Sequence, residues 1–401
     1  MYNKGKNMHK IHLVTDCPFE FRDYDRFGIE CLIGQGFKYH VWDLSPILAP
    51  SRFQGVQSAG RIHQFPGYHP LFEKAETLST LKAFAARDVV ISIVGARSAS
   101  FPYLRALSQS SAKLVGLRLG MIPKSHVTKT KTKQKRSFKS LLSAIKGRIN
   151  SITGRITSRG IRPPDLFLIA GTVAHNELKT HSPSNLISTI SFDYQTYLSE
   201  LSSPSPAVFD PGFILYLDEY TPFHPDWAHV GIPPSCTADE LYPRLRRFFD
   251  ELEYVTGKKI VIAAHPRSEY AANTPYFGGR PLFKGMTPAL IRDCEFVLAH
   301  GSTSVSYAVL FQKPILFITS RIFSPYEQFS INTMAESLSK SPFHFDSPAS
   351  LINLVAALEM NKAAYANYRE SYLKAPKTRE EKIWVAFGSY LKNLEQGDPT
   401  L

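Results

Sequence analysis

Several classes of protein are excluded by motifs that the sequence lacks. Its four cysteines show no CxxC spacing, which argues against a zinc site or a disulfide framework and fits a reducing cytoplasm. Neither a GxGxxG fingerprint nor a Walker lysine motif occurs, so ordinary dinucleotide binding and P-loop chemistry are disfavoured. We expect no signal peptide and no transmembrane span, because the chain starts polar and basic and has no long apolar run.

Carboxylates are also missing from one long segment, and this absence sets the charge of the protein. Between Asp88 and Asp165 there is no Asp or Glu, whereas the same segment holds sixteen Lys and Arg, more than the net charge of +13. Within it, a Lys/Thr repeat precedes apolar residues at helical spacing from Phe138 to Ile156, with cations beside them. We predict a basic amphipathic insertion at about 124–160 that contacts an anionic membrane surface through about 129–156. The alternative is a helix packed on its own domain, and nucleic acid is disfavoured because no aromatics are interleaved.

Short apolar runs rich in β-branched residues alternate with helical patterns in both halves of the chain, which predicts an α/β fold with two Rossmann-like domains. The Ser/Pro-rich stretch around Pro204 is the clearest linker, so we place the domains at 1–205 and 206–401. A helical pattern at 379–394 is expected to close the chain. Strands are predicted at 11–15, 37–44, 89–94, 114–119, 166–170, 213–217, 260–264, 296–299 and 315–319.

Two motifs follow predicted strands of the second domain and offer groups that suit phosphate. His265-Pro266-Arg267 supplies an imidazole and a guanidinium, and Ser302-Thr303-Ser304 supplies hydroxyls and backbone N–H groups. The carboxyl ends of parallel strands share one edge of a sheet, where open α/β sheets bind ligands, so we expect both motifs in one crevice. A strand-end histidine bonded to backbone and a simple helix cap are the structural alternatives.

This architecture and these motifs resemble bacterial surface-polysaccharide glycosyltransferases of the GT-B type. The resemblance covers about 210–319, and its His-Pro and Ser/Thr motifs are similar to the CMP-sugar-binding signature of bacterial polysialyltransferases and Kdo transferases. It is greatest to the retaining β-Kdo transferase domains of capsule and lipopolysaccharide (O-antigen) assembly. An acceptor-side N-terminal domain and a nucleotide-sugar-binding C-terminal domain are implied.

The resemblance implies a cytoplasmic enzyme, peripheral on the inner face of the cytoplasmic membrane. It would transfer Kdo or a related acidic 2-keto sugar, with retention, from a CMP-sugar to a cell-surface or lipid-linked glycan. Besides the two motifs, nucleotide contacts are expected from Arg280, Lys284 and, at the ribose, Glu327. No cofactor and no metal are expected, because a single leaving phosphate can be neutralised by these groups. The alternatives are another CMP-sugar, an NDP-sugar or CDP-glycerol as donor, or a non-catalytic nucleotide-sugar-binding assembly protein.

Carboxylates that follow strands are the candidates for catalysis. Asp218 and Glu219 end the first strand of the C-terminal domain, and strand alternation directs them to opposite sides, so we favour one of them, Asp218. In an inverting transfer such a group is a base, and in a retaining transfer it is a nucleophile. Asp16 follows the first strand of the N-terminal domain, where it would position an acceptor hydroxyl or act as a second acid or base. Capping or ion pairing is the structural alternative for all three.

Overall fold

The computed structural model describes residues 10–123, 160–179, 185–224, 233–270, 276–346 and 353–396. In these ranges the chain forms two parallel sheets. The strands are β1 Lys10–Thr15, β2 Lys38–Asp43, β3 Tyr68–Pro70, β4 Val89–Ser92, β5 Lys113–Arg118, β6 Leu166–Ala170, β7 Leu186–Thr189, β8 Ile214–Leu217, β9 Ile260–Ala264, β10 Leu282–Lys284, β11 Phe296–Ala299, β12 Ile315–Thr319 and β13 Phe343–His344. The strand order is β3-β2-β1-β4-β5-β6-β7 in the N-terminal sheet and β10-β9-β8-β11-β12-β13 in the C-terminal sheet.

This architecture confirms the predicted fold class, and the strands that the sequence missed share one property. All nine predicted strands are present, with ends that differ by at most two residues. The four missed strands, β3, β7, β10 and β13, are the edges of the two sheets. Edge strands are short and partly exposed, so they lack the continuous apolar run by which buried parallel strands are recognised. The boundary at 205/206 stays a prediction.

Helices cover the sheets, and local sequence explains where they begin. The longest starts at a capping box in which Thr237 and Glu240 bond each other's backbone, and it buries apolar residues at helical spacing. The helices are α1 Phe21–Arg26, α2 Ile29–Gly34, α3 Ser45–Leu48, α4 Pro50–Ser58, α5 Lys74–Lys82, α6 Phe101–Gln109, α7 Gly171–Lys179, α8 Phe192–Ser202, α9 Ala238–Thr256, α10 Thr287–Asp293, α11 Val305–Leu310, α12 Pro325–Ser337, α13 Leu354–Leu358, α14 Lys362–Tyr368 and α15 Ile383–Gln396.

The last helix, α15, returns to the N-terminal half, as expected of a closing helix. Its Trp384 is 2% exposed and donates a hydrogen bond of 2.8 Å from Nε1 to the Arg26 carbonyl oxygen. The Gln35 side chain donates a bond of 3.0 Å to the Trp384 carbonyl oxygen. Gly28 has a φ of +60°, and a Cβ there would lie 2.1 Å from the indole ring. Only glycine allows both this backbone conformation and this approach.

We predict that Gly28→Ala destabilises the protein by loosening this helix. A non-glycine residue at positive φ costs about 1–2 kcal/mol, and overpacking adds about 1–3 kcal/mol. Gly60→Ala is the matched control, because Gly60 has a φ of +65° and a Cβ there would meet no other part of the chain within 4 Å. Urea denaturation should therefore give a larger loss for Gly28→Ala. Equal losses for the two variants would show that α15 does not depend on this contact.

Candidate active site

The site lies where strand order reverses in each sheet. In the C-terminal sheet, β8 neighbours both β9 and β11, so the chain leaves β8 in one direction and later returns on its other side. In the N-terminal sheet, β1 occupies the same position between β2 and β4. Such reversals open a crevice at the carboxyl ends of the strands. Asp218 and Glu219 follow β8 and Asp16 follows β1, so all three predicted acids lie at these crevices.

Asp218 is buried and bonded on the β9 side. Its Oδ2 accepts hydrogen bonds from the Tyr270 hydroxyl at 2.7 Å and from the His265 backbone N–H at 3.1 Å, and its Oδ1 accepts one from the Tyr220 N–H at 2.9 Å. Burial raises the pKa of this carboxyl, and the three hydrogen bonds oppose that rise. Asp218 therefore joins the ends of β8 and β9, and both of its oxygens are engaged.

Glu219 points the other way, toward the end of β11. The Gly301 backbone N–H donates to its carboxylate, whereas its buried Oε1 has no hydrogen-bond partner among the residues that the structure describes. Burial raises the pKa of Glu219 to about 8, and the negative charges of Glu327 and Asp218 contribute to the rise. Glu219 is therefore protonated at neutral pH. Groups with such pKa values exchange protons readily near pH 7, which is the property required of a general acid or base.

The His-Pro-Arg turn lies beside Asp218, as the shared sheet edge predicted. The Arg267 backbone N–H donates to His265 Nδ1 at 3.2 Å, which makes Nδ1 an acceptor, so the neutral ring carries its proton on Nε2. The His265 ring also meets the His224 ring edge-on, with 4.7 Å between centroids. His265 is thus oriented by backbone and ring contacts, and the tautomer that the Arg267 N–H selects carries its proton on Nε2.

The Ser302-Thr303-Ser304 motif forms a tight turn before α11. The Ser304 N–H donates to Ser302 Oγ at 3.2 Å, and the Ser304 side chain makes no capping bond to the helix. Thr303 is exposed. The preceding His300 is buried, with its ring against the Tyr216 hydroxyl and the Ile318 carbonyl oxygen, and burial lowers its pKa to about 4. His300 is therefore a neutral core residue, and the exposed part of the motif begins after it.

Glu327 lies near enough to Glu219 for its charge to raise the pKa of that residue, and it also begins a helix. Its Oε2 accepts hydrogen bonds from the Ser324 N–H and hydroxyl, and its own N–H donates to Ser324 Oγ, which forms a capping box at the start of α12. Burial raises its pKa. Glu327 therefore caps α12, and its contact with a ribose stays a prediction.

Arg280 and Lys284, the two further cations predicted to contact the nucleotide, are held by other parts of the C-terminal half. Arg280 Nη2 pairs with Asp250 at 2.7 Å and with Glu253 at 2.5 Å, both on α9. Lys284 Nζ donates to the Ser268 carbonyl oxygen at 2.8 Å. Arg280 thus fastens its loop to α9, whereas Lys284 supports the loop that follows β9. We leave Arg280 out of the proposed site because its guanidinium has two carboxylate partners.

On the N-terminal side, Asp16 is buried, and its Oδ1 accepts a hydrogen bond of 3.7 Å from Cys17 Sγ. The Gly95 N–H donates to its Oδ2 at 3.0 Å, and Arg97 pairs with the same oxygen. Gly95 follows β4. The carboxylate therefore joins the ends of β1 and β4, which is the ion-paired alternative for this residue.

One residue of the site, Tyr270, has no recognisable signal in the sequence. Tyr270 bonds Asp218 but belongs to no motif, and its distance from Asp218 along the chain hides the contact.

The triplet Asp23-Tyr24-Asp25 has the DxD spacing of metal-dependent sugar transferases. In the structure it lies within α1, where Asp23 accepts a hydrogen bond from the Glu20 N–H.

Two observations concern metal ligands and membrane spans, and both apply only to the described part of the chain. Among the described residues, no three His, Cys, Asp or Glu side chains lie close enough together to hold a metal ion. Within the same ranges, no helix has both the length and the apolar character needed to span a bilayer. Nearly all of the predicted amphipathic insertion, including the proposed membrane contact at 129–156, lies outside the described residues. The membrane contact stays a prediction.

Comparison with known proteins supports the architecture. No protein-family model matches the chain, and no curated protein matches it. A solved structure of a UDP-N-acetylglucosamine 2-epimerase matches 97% of this chain and 96% of its own, at 13% identity and a TM-score of 0.50. The fold is of the GT-B type. The structure of the glycotransferase of kitacinnamycin matches 96% of this chain and 99% of its own, at 9% identity and a TM-score of 0.50. At these identities the likeness concerns the fold alone.

The raised pKa of Glu219 predicts a dependence of stability on pH. An acid whose pKa is higher in the folded state than in the unfolded state binds its proton more tightly when the protein is folded. As pH rises from the unfolded-state pKa to the folded-state pKa, the free energy of unfolding therefore decreases. From about pH 4.5 to about pH 8, wild type should therefore lose stability relative to Glu219→Gln, which does not titrate. Urea denaturation at pH 5, 6.5 and 8 measures the difference. The control is Glu336→Gln at an exposed position. Its free energy of unfolding should change with pH as that of wild type does. A constant difference between wild type and Glu219→Gln would contradict the assigned pKa.

Proposed function

We propose that the protein is a nucleotide-sugar-dependent glycosyltransferase whose proton-transfer group is Glu219. The observation that carries this proposal is a protonated carboxyl at the crevice between β8 and β11, one oxygen of which has no hydrogen-bond partner among the described residues. Two flanking motifs supply donors for a phosphate. A buried carboxyl without a second partner is costly to stability, which favours a role in which a ligand completes its hydrogen bonds.

The phosphate of the donor is proposed to lie between His265 and the turn at Ser302. His265 would donate from Nε2, Arg267 would add positive charge, and the turn would add N–H groups and hydroxyls. The chemical step breaks the bond between the anomeric carbon and the phosphate oxygen and forms a bond from that carbon to an acceptor hydroxyl oxygen. Glu219 would give its proton to the departing phosphate oxygen, and the proton that the acceptor hydroxyl releases would go to the Glu219 carboxylate.

Asp218, our first candidate for the nucleophile of a retaining transfer, is proposed instead to position the site. A nucleophilic carboxylate must reach the anomeric carbon, whereas both Asp218 oxygens accept hydrogen bonds from Tyr270, His265 and Tyr220. Asp218 would hold the turn that carries His265. Product analysis tests this choice: a retained anomeric configuration together with a sugar adduct on Asp218 would return the nucleophilic role to that residue.

For the donor we propose a CMP-sugar that carries Kdo or a related acidic 2-keto sugar. The support is the motif resemblance and the small number of cations in the proposed phosphate site, which suits one phosphate better than two. Metal independence is part of this proposal. The acceptor is proposed to be a cell-surface glycan held at the cytoplasmic face of the membrane, to which the basic segment at 129–156 would bind.

Epimerisation of a nucleotide sugar is a second candidate function. The structural match includes a UDP-N-acetylglucosamine 2-epimerase, and the charge of Glu327 raises the pKa of Glu219, so two nearby acids could remove a proton from a sugar carbon and return it. Incubation with CMP-Kdo or UDP-N-acetylglucosamine without acceptor, followed by NMR, separates the two functions. A new epimer formed without acceptor supports epimerisation, and glycan extension supports transfer.

We predict that Glu219→Gln lowers turnover by about a hundredfold or more, the usual contribution of a general acid, while nucleotide affinity changes little. The wild-type rate should fall as pH rises through about 8, because the acid form is required. Mass spectrometry of glycan products from a donor panel measures the rate, and calorimetry with CMP measures affinity. Asp218→Asn is the comparison: it should weaken CMP binding as well as turnover, because it loosens the His265 turn. Full activity of Glu219→Gln would refute the proposed role.

A donor panel of CMP-, UDP- and CDP-linked compounds tests the proposal as a whole. A ligand at a hundred times its dissociation constant stabilises a protein by about 2.7 kcal/mol, which a thermal shift detects. Binding without product across acceptors would favour a non-catalytic assembly protein. No binding of any nucleotide would refute both functions.

A further inference from the structure

The loop that carries His265 is held at both of its ends by one oxygen atom. At its start, the His265 backbone N–H donates to Asp218 Oδ2 at 3.1 Å, and at its end the Tyr270 hydroxyl donates to the same oxygen at 2.7 Å. Between them, the Ser268 N–H donates to the His265 carbonyl oxygen at 2.9 Å. The position of the loop at 265–270 therefore depends on the charge of one carboxylate and on one side-chain hydroxyl.

The Tyr270 hydroxyl has a second partner on α9. The hydroxyl oxygen of Tyr242 lies 3.2 Å from that of Tyr270. Because the single proton of Tyr270 is donated to Asp218, the Tyr242 hydroxyl must be the donor between the two tyrosines. Tyr242 is 2% exposed, and α9 is the longest helix in the described part of the chain. The two hydroxyls thus connect a buried helix in series to the Asp218 carboxylate.

Aromatic rings fix the position of the Tyr270 side chain as well. Its ring centroid lies 5.0 Å from that of Tyr220, 5.4 Å from that of Phe277 and 5.6 Å from that of Tyr276. The Tyr242 ring packs on the same Tyr276, at 4.4 Å between centroids. Phenylalanine can make these ring contacts as tyrosine does. A change of either residue to phenylalanine therefore removes the hydrogen bond and keeps the packing.

The hydrogen bond from Tyr270 also favours the charged form of Asp218. Burial raises the pKa of this carboxyl, and the bond from Tyr270 lowers it. The hydroxyls of Tyr270 and of its partner on α9 remain protonated, because burial raises the pKa of each. The other titratable side chains near Asp218 are the hydroxyls of Tyr216 and Tyr220 and the carboxyl of Glu219. Of these, only Glu219 titrates near neutral pH.

A charged Asp218 holds the loop more firmly than a neutral one. Charge-assisted hydrogen bonds are about twice as strong as neutral ones, so the bond to the His265 N–H weakens when Asp218 takes up a proton. His265 and Arg267 then lose the fixed position from which they are proposed to bind a phosphate. The Tyr242 hydroxyl acts on the same bond from one step further away, since it orients the Tyr270 hydroxyl toward Asp218.

We infer that Tyr270 and Tyr242 are positioning residues of the nucleotide site, which act in series through Asp218 on the loop at 265–270. The inference rests on the proposed function in taking a nucleotide phosphate to be the ligand of His265. Neither tyrosine needs to touch the nucleotide. Their effect on binding is exerted through the charge of one carboxylate and the position of one loop.

Removal of single hydroxyl groups tests the inference. CMP affinity is measured by calorimetry at pH 6, 7 and 8. Tyr270→Phe should bind CMP about tenfold more weakly than wild type, because a hydrogen bond to a charged group is lost. Its deficit should grow as pH falls, because Asp218 then takes up a proton more readily. Tyr242→Phe should lose about threefold, the contribution of a neutral hydrogen bond. The control is Tyr254→Phe, at a residue of α9 that is 90% exposed.

Hydrogen exchange gives a readout that does not need a nucleotide. It is followed by mass spectrometry on the nucleotide-free proteins. Peptides that cover 265–270 should exchange faster in Tyr270→Phe than in wild type and in Tyr254→Phe, because the loop is held less firmly. Peptides of the buried strand β8 should exchange at the wild-type rate in all variants, which shows that the fold is intact.

The outcomes separate this inference from the proposed function. If wild type binds no nucleotide while the loop of Tyr270→Phe exchanges faster, the proposed function fails and the hydrogen-bond series stands. The inference is overturned if Tyr270→Phe binds CMP as wild type does, or if its deficit is the same at all three pH values. An equal deficit in Tyr254→Phe overturns it, and so does unchanged exchange at 265–270. The CMP phosphate and Glu219 titrate in every variant, so the difference from wild type at each pH is the quantity compared.

Discussion

The buried carboxylate of Asp218 determines the geometry on which the candidate site depends. A charge removed from water must be hydrogen-bonded, and Asp218 obtains its bonds from the turn after β8, from the end of β9 and from Tyr270. Those bonds set the position of the His265 turn. Alternation along the strand then directs Glu219 toward β11, where one backbone N–H is its partner and burial keeps it protonated. Two adjacent acids thus differ in their hydrogen bonds because their surroundings differ.

The N-terminal half repeats this arrangement with a different balance of charge. Asp16 joins the ends of β1 and β4 as Asp218 joins those of β8 and β9, but one of its partners is the guanidinium of Arg97. One crevice therefore holds a protonated acid, whereas the acid of the other is ion-paired. The Trp384 contact with Gly28 fastens the last helix to the N-terminal half.

Prediction from the sequence succeeded for the buried strands, because apolar residues are stable only away from water. Buried parallel strands must be apolar throughout, so all nine predicted strands exist, and the residues that follow them lie at the same sheet edges. It failed at the edge strands, whose side chains are half exposed. It favoured Asp218 over Glu219 without the hydrogen bonds that distinguish them, and it did not reveal that Arg280 pairs with α9. Hydrogen bonds between distant segments leave no local pattern. Nearly all of the basic segment at 124–160 lies outside the described residues.

The amino-acid sequence by itself determined the two α/β halves, the positions of the strand-end motifs and the excess of positive charge. These depend on apolar periodicity and composition, which are properties of neighbouring residues. Only the tertiary structure decided that both oxygens of Asp218 are bonded, that one oxygen of Glu219 has no hydrogen-bond partner among the described residues, and that Asp16 pairs with Arg97. Protonation and charge balance depend on burial and on partners far apart in the chain, and folding alone brings those partners together.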